Sequence, residues 1–295
     1  MKILICGGKG QLGTDCHIVL GRRHEVRSVD LDELDIADPS RVENETAAFG
    51  PDVMVNCAAY TAVDACETQY DLARQINAEG PGNLAMAAER HGARLVHVST
   101  DYVFDGSKMP PEPYVETDDP HPVSCYGKTK LAGEEAVKEA TDDYMIVRTA
   151  WLYGVGGPNF LKTMLRLALK GPTRKISVVN DQFGSPTWSY RLALQIETLI
   201  QARGEGVYHA TSEGYGTWYE LAVEFLDRMG VPHCVVPCTT VQYPTPAARP
   251  MNSILENRRL KEAGINLMQD WRRDVAAFVA AFKDRLIIEA KEGGI

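Results

Sequence analysis

The chain has 295 residues, 44% of them hydrophobic and 24% charged, a composition that suits one large folded domain or two unequal ones. Its 40 acidic residues outnumber its 31 basic residues and give a net charge of -9, which disfavours a nucleic-acid partner because binding to a phosphate backbone needs an excess of Lys and Arg. No apolar run approaches the roughly 18 residues that span a bilayer, and the first residues lead directly into a strand-like run. We therefore expect a cytoplasmic protein with no membrane partner.

Seven cysteines are scattered along the chain, and no pair of them has the C-x-x-C spacing of a zinc site. In a reducing compartment such cysteines are small buried side chains, so we expect neither a disulfide nor a bound metal. His233, Cys234 and Cys238 lie close together in sequence, but a fourth ligand at a suitable spacing is missing.

Short apolar runs alternate with helical patterns in the first half of the chain. The predicted strands are 2–6, 25–29, 53–57, 94–99 and 144–149, and the predicted helices are 11–21, 39–48, 68–91 and 124–140. Continuous apolar strands that alternate with helices are typical of a parallel sheet covered on both faces, which binds ligands at the carboxyl ends of its strands. The sequence therefore predicts an α/β fold with a doubly wound parallel sheet.

After Arg148 the pattern loosens, because Gly and Pro residues separate shorter elements. Two further apolar runs, 176–179 and 207–210, are expected to extend the sheet. We predict a nucleotide-binding domain formed by residues 1–150 plus about 176–210. A smaller, discontinuous substrate-binding domain is predicted from about 151–175 plus 211–295.

A glycine-rich turn follows the first predicted strand directly. Gly7, Gly10 and Gly13 have the spacing that permits a tight turn, close approach of the backbone to a pyrophosphate, and close packing of helix on strand. The amino terminus of the next helix offers N–H groups and a positive dipole to phosphates. The turn therefore predicts a dinucleotide cofactor, with contacts from Gly7, Lys9, Gly10, Gln11, Leu12 and Gly13.

Charged residues after the second strand bear on which dinucleotide binds. Asp30 would accept hydrogen bonds from the adenosine ribose and repel a 2′-phosphate, which favours NADH. Other residues could occupy that position or balance a phosphate, so both NADPH and NADH are candidates; these residues are Asp32, Glu33, Lys9, Arg22 and Arg23. We expect four more residues beside the cofactor: Asp35 and Ile36 at the adenine edge, and the small Ala58 and Ala59 after the third strand.

Three side chains have the chemistry of ketone reduction. Tyr126 and Lys130 lie four residues apart in a helical pattern and therefore share one helix face. An adjacent ammonium would stabilise the phenolate and bring the pKa of the phenol closer to neutral pH. Thr100 ends the preceding strand, where its hydroxyl would donate to a substrate carbonyl while Tyr126 gives the proton and a nicotinamide gives the hydride.

With these motifs in this order, the chain resembles the extended short-chain dehydrogenases and, among them, the dTDP-4-dehydrorhamnose reductase family. The resemblance covers nearly the whole chain, in segments 56–64, 77–78, 99–106, 148–154, 159–160, 181–187 and 244–250. It implies a Rossmann sheet and NAD(P)H-dependent reduction of the 4-keto group of dTDP-4-dehydro-β-L-rhamnose to dTDP-L-rhamnose. This reaction belongs to carbohydrate biosynthesis, including that of lipopolysaccharide.

The resemblance also implies which residues form the site. Thr100, Tyr126 and Lys130 are the implied catalytic residues, and Trp151 would pack on the hexose ring. Further expected cofactor contacts are Tyr60, Asn77, Tyr126 and Lys130, of which Lys130 would hold the nicotinamide ribose. Further implied contacts to the dTDP-sugar are Thr61, Val63, Asp101, Asn159, Gln182 and Arg249.

One property of some family members is not matched. They dimerise through magnesium held by acids after the glycine turn and after the Gly-x-Pro-Thr segment. Here Asp15 follows the turn, but Trp188, Ser189 and Tyr190 offer no carboxylate. We therefore expect no metal, and a monomer or a weak homodimer.

Two alternative functions fit parts of the pattern. Sugar-nucleotide dehydratases of this superfamily carry Asp-Glu after the threonine, whereas here Asp101 is followed by Tyr102, so a dehydratase or epimerase fits less well than a reductase. A regulatory subunit of methionine adenosyltransferase looks similar and binds NADP. That role would not need Tyr126 and Lys130 in register with Thr100.

Overall fold

The computed structural model describes residues 1–292 and contains one six-stranded parallel sheet together with three small sheets. The strands in chain order are β1 (Lys2–Cys6), β2 (Glu25–Val29), β3 (Val53–Asn56), β4 (Arg94–Thr100), β5 (Tyr144–Thr149), β6 (Leu152–Tyr153), β7 (Lys175–Val179), β8 (Phe183–Gly184), β9 (Thr187–Trp188), β10 (Gly206–His209), β11 (Gly216–Thr217), β12 (Cys234–Cys238) and β13 (Asn252–Ser253). The large sheet has the order β10-β5-β4-β3-β1-β2. The strand order reverses between β1 and β3, which is where such sheets bind their ligands.

Helices cover both faces of this sheet, and the prediction of a doubly wound α/β fold is confirmed. They are α1 (Gln11–Leu20), α2 (Pro39–Phe49), α3 (Val63–Cys66), α4 (Tyr70–Arg74), α5 (Gly80–His91), α6 (Cys125–Ala140), α7 (Phe160–Lys170), α8 (Ser189–Gln201), α9 (Trp218–Met229), α10 (Arg258–Glu262) and α11 (Trp271–Glu292). The predicted helix 68–91 is present as α4 and α5, joined by a π-helical turn at Gln75–Glu79. Within residues 1–292, we find no helix with both the length and the apolar character needed to cross a membrane.

Alternate residues of the central strands supply two separate cores. In β1, Ile3 and Ile5 pack with α1 and α8, whereas Leu4 and Cys6 pack with residues of α2 and α5 on the opposite face. Successive side chains of a strand point to opposite faces, and here each face meets helices. This double coverage explains why the strands read as continuous apolar runs.

A third core lies in the part of the chain that follows β5. It joins the apolar faces of α7, α9 and α11 to two-residue strands and to β7, and Trp271 and Phe278 are completely buried in it. Helix α7 contributes the spacing of an amphipathic helix, with Leu161, Leu165 and Ala168 buried. This core places α7 and α9 beside the carboxyl edge of the large sheet.

Of the two apolar runs expected to extend the large sheet, one does so and the other does not. The run 207–210 does so, because β10 pairs in parallel with β5. The prediction for 176–179 is wrong: β7 pairs in parallel with β12 in a separate two-stranded sheet. Its apolar residues Ile176 and Val178 are buried against the third core, and an apolar run by itself does not specify which partner it pairs with. The division into two domains stays a prediction, with β7 packed on the side of the second domain.

Candidate active site

A cleft of about 530 Å³ lies at the carboxyl ends of β1, β3, β4 and β5, between the large sheet and the third core. Thirteen of the predicted site residues line it: Gly10, Gln11, Leu12, Gly13, Ala59, Thr61, Val63, Thr100, Asp101, Tyr126, Lys130, Trp151 and Asn159. Gln182 and Arg249 line an adjoining pocket of about 300 Å³, which shares Phe160 and Trp218 with the cleft. The tertiary structure thus gathers residues from most of the chain around one continuous opening.

The glycine turn has the shape required to hold a pyrophosphate. Gly7 has a φ of +78°, and a side chain there would lie 2.7 Å from the backbone nitrogen of Ala58. A side chain at Gly13 would meet the Gly7 carbonyl group, so the absence of one lets α1 pack closely on the turn. Helix α1 begins at Gln11 after Gly10, which has no side chain to cap the first N–H groups. These N–H groups remain available for the phosphates of a dinucleotide.

Asp30 follows the last residue of β2, and its side chain binds the backbone of the glycine turn. Its carboxylate accepts hydrogen bonds from the backbone N–H of Lys9, at 2.8 Å, and of Leu31, at 2.9 Å. The Lys9 ammonium pairs instead with Asp32 at 2.6 Å, and both side chains are more than 60% exposed. The pair raises the pKa of Lys9 and lowers that of Asp32. An exposed pair of this kind is screened by solvent and contributes little, so Lys9 can turn to another anion.

Several residues predicted to touch the cofactor also make contacts that shape the loops around its expected position. Asp35 accepts a hydrogen bond from the N–H of Ala37 at 3.0 Å, and Ile36 is buried against the start of α5. Asn77, on the π-helical turn, is fully buried. Its side chain accepts from the N–H of Tyr60 at 2.8 Å and donates to the carbonyl of Tyr60 at 3.1 Å. Asn77 therefore fixes the loop after β3 by pairing with its backbone.

Thr100 and Tyr126 face each other across the floor of the cleft. Helix α6 begins after Ser124, whose hydroxyl accepts the N–H of Gly127 at 3.1 Å, and this cap places Tyr126 in the first turn. The Thr100 hydroxyl donates to Asp101 Oδ1 at 2.9 Å. Burial raises the pKa of Tyr126 above its ordinary value, and the carboxylate of Asp101 raises it further. The phenol is therefore protonated at neutral pH.

Lys130 makes its polar contacts with β4. Its Nζ donates to the carbonyl of Val98 at 2.8 Å and lies 3.5 Å from His97 Nε2, beneath the cleft floor. Burial lowers the pKa of Lys130 to about 8, although Glu134 and Cys57 act in the opposite direction. The expected lowering of the phenol pKa by this ammonium is thus absent from this arrangement. A four-residue spacing fixes the helix face of a long side chain, but its torsions decide where the ammonium lies.

Asp101 is buried at the same strand end. Burial raises the pKa of its carboxyl to about 6, although the hydrogen bond from the Thr100 hydroxyl acts in the opposite direction. Its second oxygen has no partner within the described chain. Asp101 is therefore the carboxyl group of the cleft that titrates closest to neutral pH.

Two stacked indoles form the apolar wall opposite the glycine turn. Trp151 has a φ of +46°, a left-handed conformation that is uncommon for a residue with a side chain, and its ring stacks on Trp218 with centroids 3.7 Å apart. Phe160 packs on Trp218 at 4.8 Å. Trp218 was not predicted from sequence. Thr217 and Glu220 form a capping box that begins α9, and this motif in the sequence could have located Trp218 at the helix start.

Asn159 and Gln182 make hydrogen bonds to neighbouring segments of the chain. Asn159 caps α7 by accepting the N–H of Lys162 at 3.0 Å, and its amide nitrogen donates to Gln11 Oε1 at 3.0 Å. The Gln182 amide donates to the hydroxyl of Thr240 at 3.1 Å. Asn159 thus connects the end of the glycine turn to the opposite side of the cleft.

Arg249 is held by a carboxylate that sequence reasoning missed. Its two terminal nitrogens each donate to a different oxygen of Asp64 at 3.0 Å, and the same carboxylate accepts the N–H of Ala247 at 3.1 Å. The guanidinium lowers the pKa of Asp64. Asp64 lies in segment 56–64, one of the segments that carry the family resemblance. Nothing in the sequence indicates that it pairs with a residue 185 positions away.

The position where some family members hold magnesium has a different chemistry here. Asp15 is buried, and its carboxylate accepts a hydrogen bond from the hydroxyl of Ser189. Burial raises the pKa of Asp15. Within residues 1–292 we find no group of three or more His, Cys, Asp or Glu side chains placed to hold a metal ion.

Comparisons with known proteins agree with this geometry. Residues 1–284 match the family described as RmlD substrate binding domain. A dTDP-4-dehydrorhamnose reductase of Burkholderia thailandensis is 42% identical over 95% of this chain and 98% of that protein. The crystal structure of a dTDP-4-dehydrorhamnose reductase from Clostridium acetobutylicum superimposes with a TM-score of 0.92 at 44% identity, covering 96% of this chain and all of that one. A Bacillus anthracis dTDP-4-dehydrorhamnose reductase, solved in complex with NADP, gives a TM-score of 0.91 at 39% identity, with 95% and 99% of the two chains covered.

Proposed function

The chain belongs to the RmlD substrate binding domain family, as dTDP-4-dehydrorhamnose reductases do, and from this membership we propose that it reduces the 4-keto group of dTDP-4-dehydro-β-L-rhamnose with NAD(P)H. The observation that carries the proposal is the convergence of Thr100, Tyr126 and Lys130 on one cleft whose other wall is the glycine turn. Carbonyl reduction needs hydroxyl groups that can hydrogen-bond to a ketone oxygen and a nearby site for a dinucleotide. This cleft contains both.

Tyr126 supplies the proton to the oxygen of the substrate. Burial keeps the phenol protonated, so it is in the form that an acid needs before the reaction begins. Thr100 turns its hydroxyl proton from Asp101 towards the carbonyl oxygen and stabilises the negative charge that develops there. Bound NAD(P)H supplies the hydride.

The two stacked indoles provide the surface for the sugar. A 6-deoxyhexose has an apolar face and a methyl group, which suit the aromatic wall made by Trp151, Trp218 and Phe160. Thr61 and Val63 line the opposite side of the same cleft. The adjoining pocket would take the nucleotide, with Gln182 and Arg249 among its polar groups.

Arg249 has the geometry to bind a diphosphate. Its guanidinium already makes a two-point contact with the planar carboxylate of Asp64, and a phosphate group presents the same kind of paired oxygens. The Asp64 side chain is 42% exposed, so this ion pair contributes little energy. A dTDP diphosphate would take the guanidinium from Asp64 at small cost.

The residues at the turn fit a dinucleotide of either kind. The close approaches at Gly7 and Gly13 leave a cradle that a side chain would fill, and the first N–H groups of α1 lie beside it. Asp30 would accept hydrogen bonds from the ribose hydroxyls, and the exposed pair of Lys9 with Asp32 is one that a 2′-phosphate could replace. We propose that the enzyme uses both NADPH and NADH.

The test is the loss of reduced-nicotinamide absorbance when the enzyme meets dTDP-4-dehydrorhamnose, with NADH and NADPH in parallel. Replacement Tyr126→Phe removes the acid and is expected to lower kcat about a hundredfold or more while the Kd for NADPH stays unchanged. Tyr190→Phe is the matched control, because it removes a phenol hydroxyl that accepts a hydrogen bond from Arg22 at 3.0 Å outside the cleft, and kcat should not change. If the wild type binds a cofactor but oxidises neither, the reductase function is wrong.

A further inference from the structure

A completely buried histidine lies directly beneath the proposed active site. His97, in β4, has no exposed surface, and its Nε2 is 3.5 Å from Nζ of Lys130. Its Nδ1 lies 3.1 Å from Nδ2 of Asn56 in β3. The reaction proposed above does not use His97, so its contact with Lys130 calls for a physical account.

The neighbours of His97 determine where its ring carries a proton. The side-chain oxygen of Asn56 accepts the N–H of Ala58 at 3.0 Å, and this contact requires the oxygen, not the nitrogen, of the amide at that position. The amide nitrogen therefore faces His97 Nδ1 and donates to it. An Nδ1 that accepts carries no proton, so the neutral ring has its proton on Nε2. A doubly protonated ring would place a second N–H donor at Nδ1, facing the amide N–H of Asn56. It would also be a charge buried away from water.

This tautomer presents an N–H group to Lys130. An ammonium has three donors and no acceptor, so it repels a second donor at that distance, whereas a free amine accepts the Nε2–H with its lone pair. The amine can at the same time donate to the carbonyl of Val98, which lies 2.8 Å away. The position that Lys130 occupies is thus built for the neutral form of its side chain.

Two charged groups near Lys130 act on it in the direction opposite to burial. Glu134 lies one turn further along α6 and favours the ammonium, but its carboxylate is already bound by Arg148 at 2.7 Å and by Ser99 at 2.6 Å. Cys57, after β3, also favours the ammonium, and Tyr126 on α6 is held as a neutral phenol. Burial outweighs both favourable charges and lowers the pKa of Lys130.

We propose that Asn56 and His97 favour the free amine of Lys130 in an inner resting position, so that at alkaline pH Lys130 takes up close to one proton from solvent when a nicotinamide dinucleotide binds. His97 is therefore a positioning residue: it acts on the protonation and place of Lys130 and touches neither substrate nor cofactor. The inference rests on the proposed function in one respect, namely that Lys130 belongs to the cofactor site. The proton that enters becomes the third N–H of the ammonium, and no other bond is made or broken.

Binding calorimetry with NADPH, repeated in two buffers of different ionisation enthalpy, measures this proton without any turnover. With a resting pKa of about 8 and an ordinary bound value near 10.4, the wild type should take up about 0.9 proton per site at pH 9, and much less at pH 7. Lys130→Arg keeps a permanent cation and should abolish the uptake. Uptake below about 0.2 proton at pH 9 in the wild type, with NADPH bound, would overturn the proposal.

The histidine itself is tested by His97→Gln, since a glutamine amide can turn its oxygen towards an ammonium, which the Nε2–H cannot do. The uptake at pH 9 should then fall at least twofold. His209→Gln is the matched control: His209 is equally buried in the same sheet but faces Phe104 and Arg148, and its replacement should leave the uptake unchanged. Equal uptake in His97→Gln and wild type would refute the role of His97, and if His97→Gln does not fold, the wild type and Lys130→Arg still decide the proposal. Failure of NADPH to bind at all would contradict the proposed function instead.

Discussion

A single methyl group at Gly184 should disturb the aromatic wall of the proposed sugar site. Gly184 in β8 lies against the indole of Trp151, and a Cβ at this position would be within 2.6 Å of Cζ2 and Nε1 of that ring. Such a distance is far inside van der Waals contact, and the ring is rigid. The replacement Gly184→Ala therefore forces Trp151 away from its stack on Trp218.

The size of the effect follows from two contributions. Overpacking a well-filled site costs about 1–3 kcal/mol of folding free energy, and losing an aromatic stack costs about 0.5–1.5 kcal/mol beyond the buried area. If Trp151 forms the sugar surface, we expect the KM for the dTDP-sugar to rise about tenfold or more, since 1.4 kcal/mol corresponds to a factor of ten. The Kd for NADPH should not change, because Gly184 is distant from the glycine turn.

The assay combines steady-state kinetics in the sugar substrate with urea unfolding of the same preparation. Gly82→Ala is the matched control: it adds the same methyl group inside α5, where the nearest atom is a side-chain methyl of Ala136 at 3.3 Å, and it should leave KM unchanged. A Gly184→Ala protein with the KM of the wild type would refute the assignment of Trp151 to the sugar surface. A rise in the Kd for NADPH of the same size would show a general loss of structure instead.

Three further replacements test other parts of the site. Asp30→Ala removes the carboxylate expected to repel a 2′-phosphate, so the ratio of kcat/KM with NADPH to that with NADH should rise about tenfold; an unchanged ratio would place the discrimination elsewhere. Asp101→Asn cannot ionise, and because the folded-state pKa of Asp101 is raised to about 6, the wild type loses stability as pH rises through that value; urea unfolding should show the variant gaining on the order of 3 kcal/mol relative to wild type between pH 4 and pH 8, and no change in this difference would contradict the buried carboxyl. Glu134→Gln leaves Arg148 as an uncompensated buried cation and should lower the free energy of unfolding by about 3–5 kcal/mol, whereas a loss below 1 kcal/mol would mean that the ion pair is solvated.

Local sequence patterns determined the main sheet and the places where its ligands meet it. The apolar runs of β1, β3, β4 and β5 are readable from the sequence because a strand that is buried on both faces is made mostly of apolar residues. The glycine turn is readable because its backbone conformation excludes side chains. Thr100 and Tyr126 followed from the same logic, since strand ends and the first turn of a helix are fixed by neighbours in the chain. The π-helical turn at Gln75–Glu79, which buries Asn77, has no such local signal.

What only the tertiary structure decided depends on contacts between residues far apart in sequence. Three such contacts join segments that no sequence periodicity connects. They are the pairing of β7 with β12, the stacking of Trp151 on Trp218, and the ion pair of Asp64 with Arg249. The inner position of Lys130 is of the same kind: its helix face follows from the four-residue spacing, but β4 supplies both the carbonyl of Val98 and the His97 ring that lie around its Nζ. A sequence specifies which groups are available and how each element is made, whereas the protonation and direction of a long buried side chain are set by whichever partners the fold brings within hydrogen-bond distance.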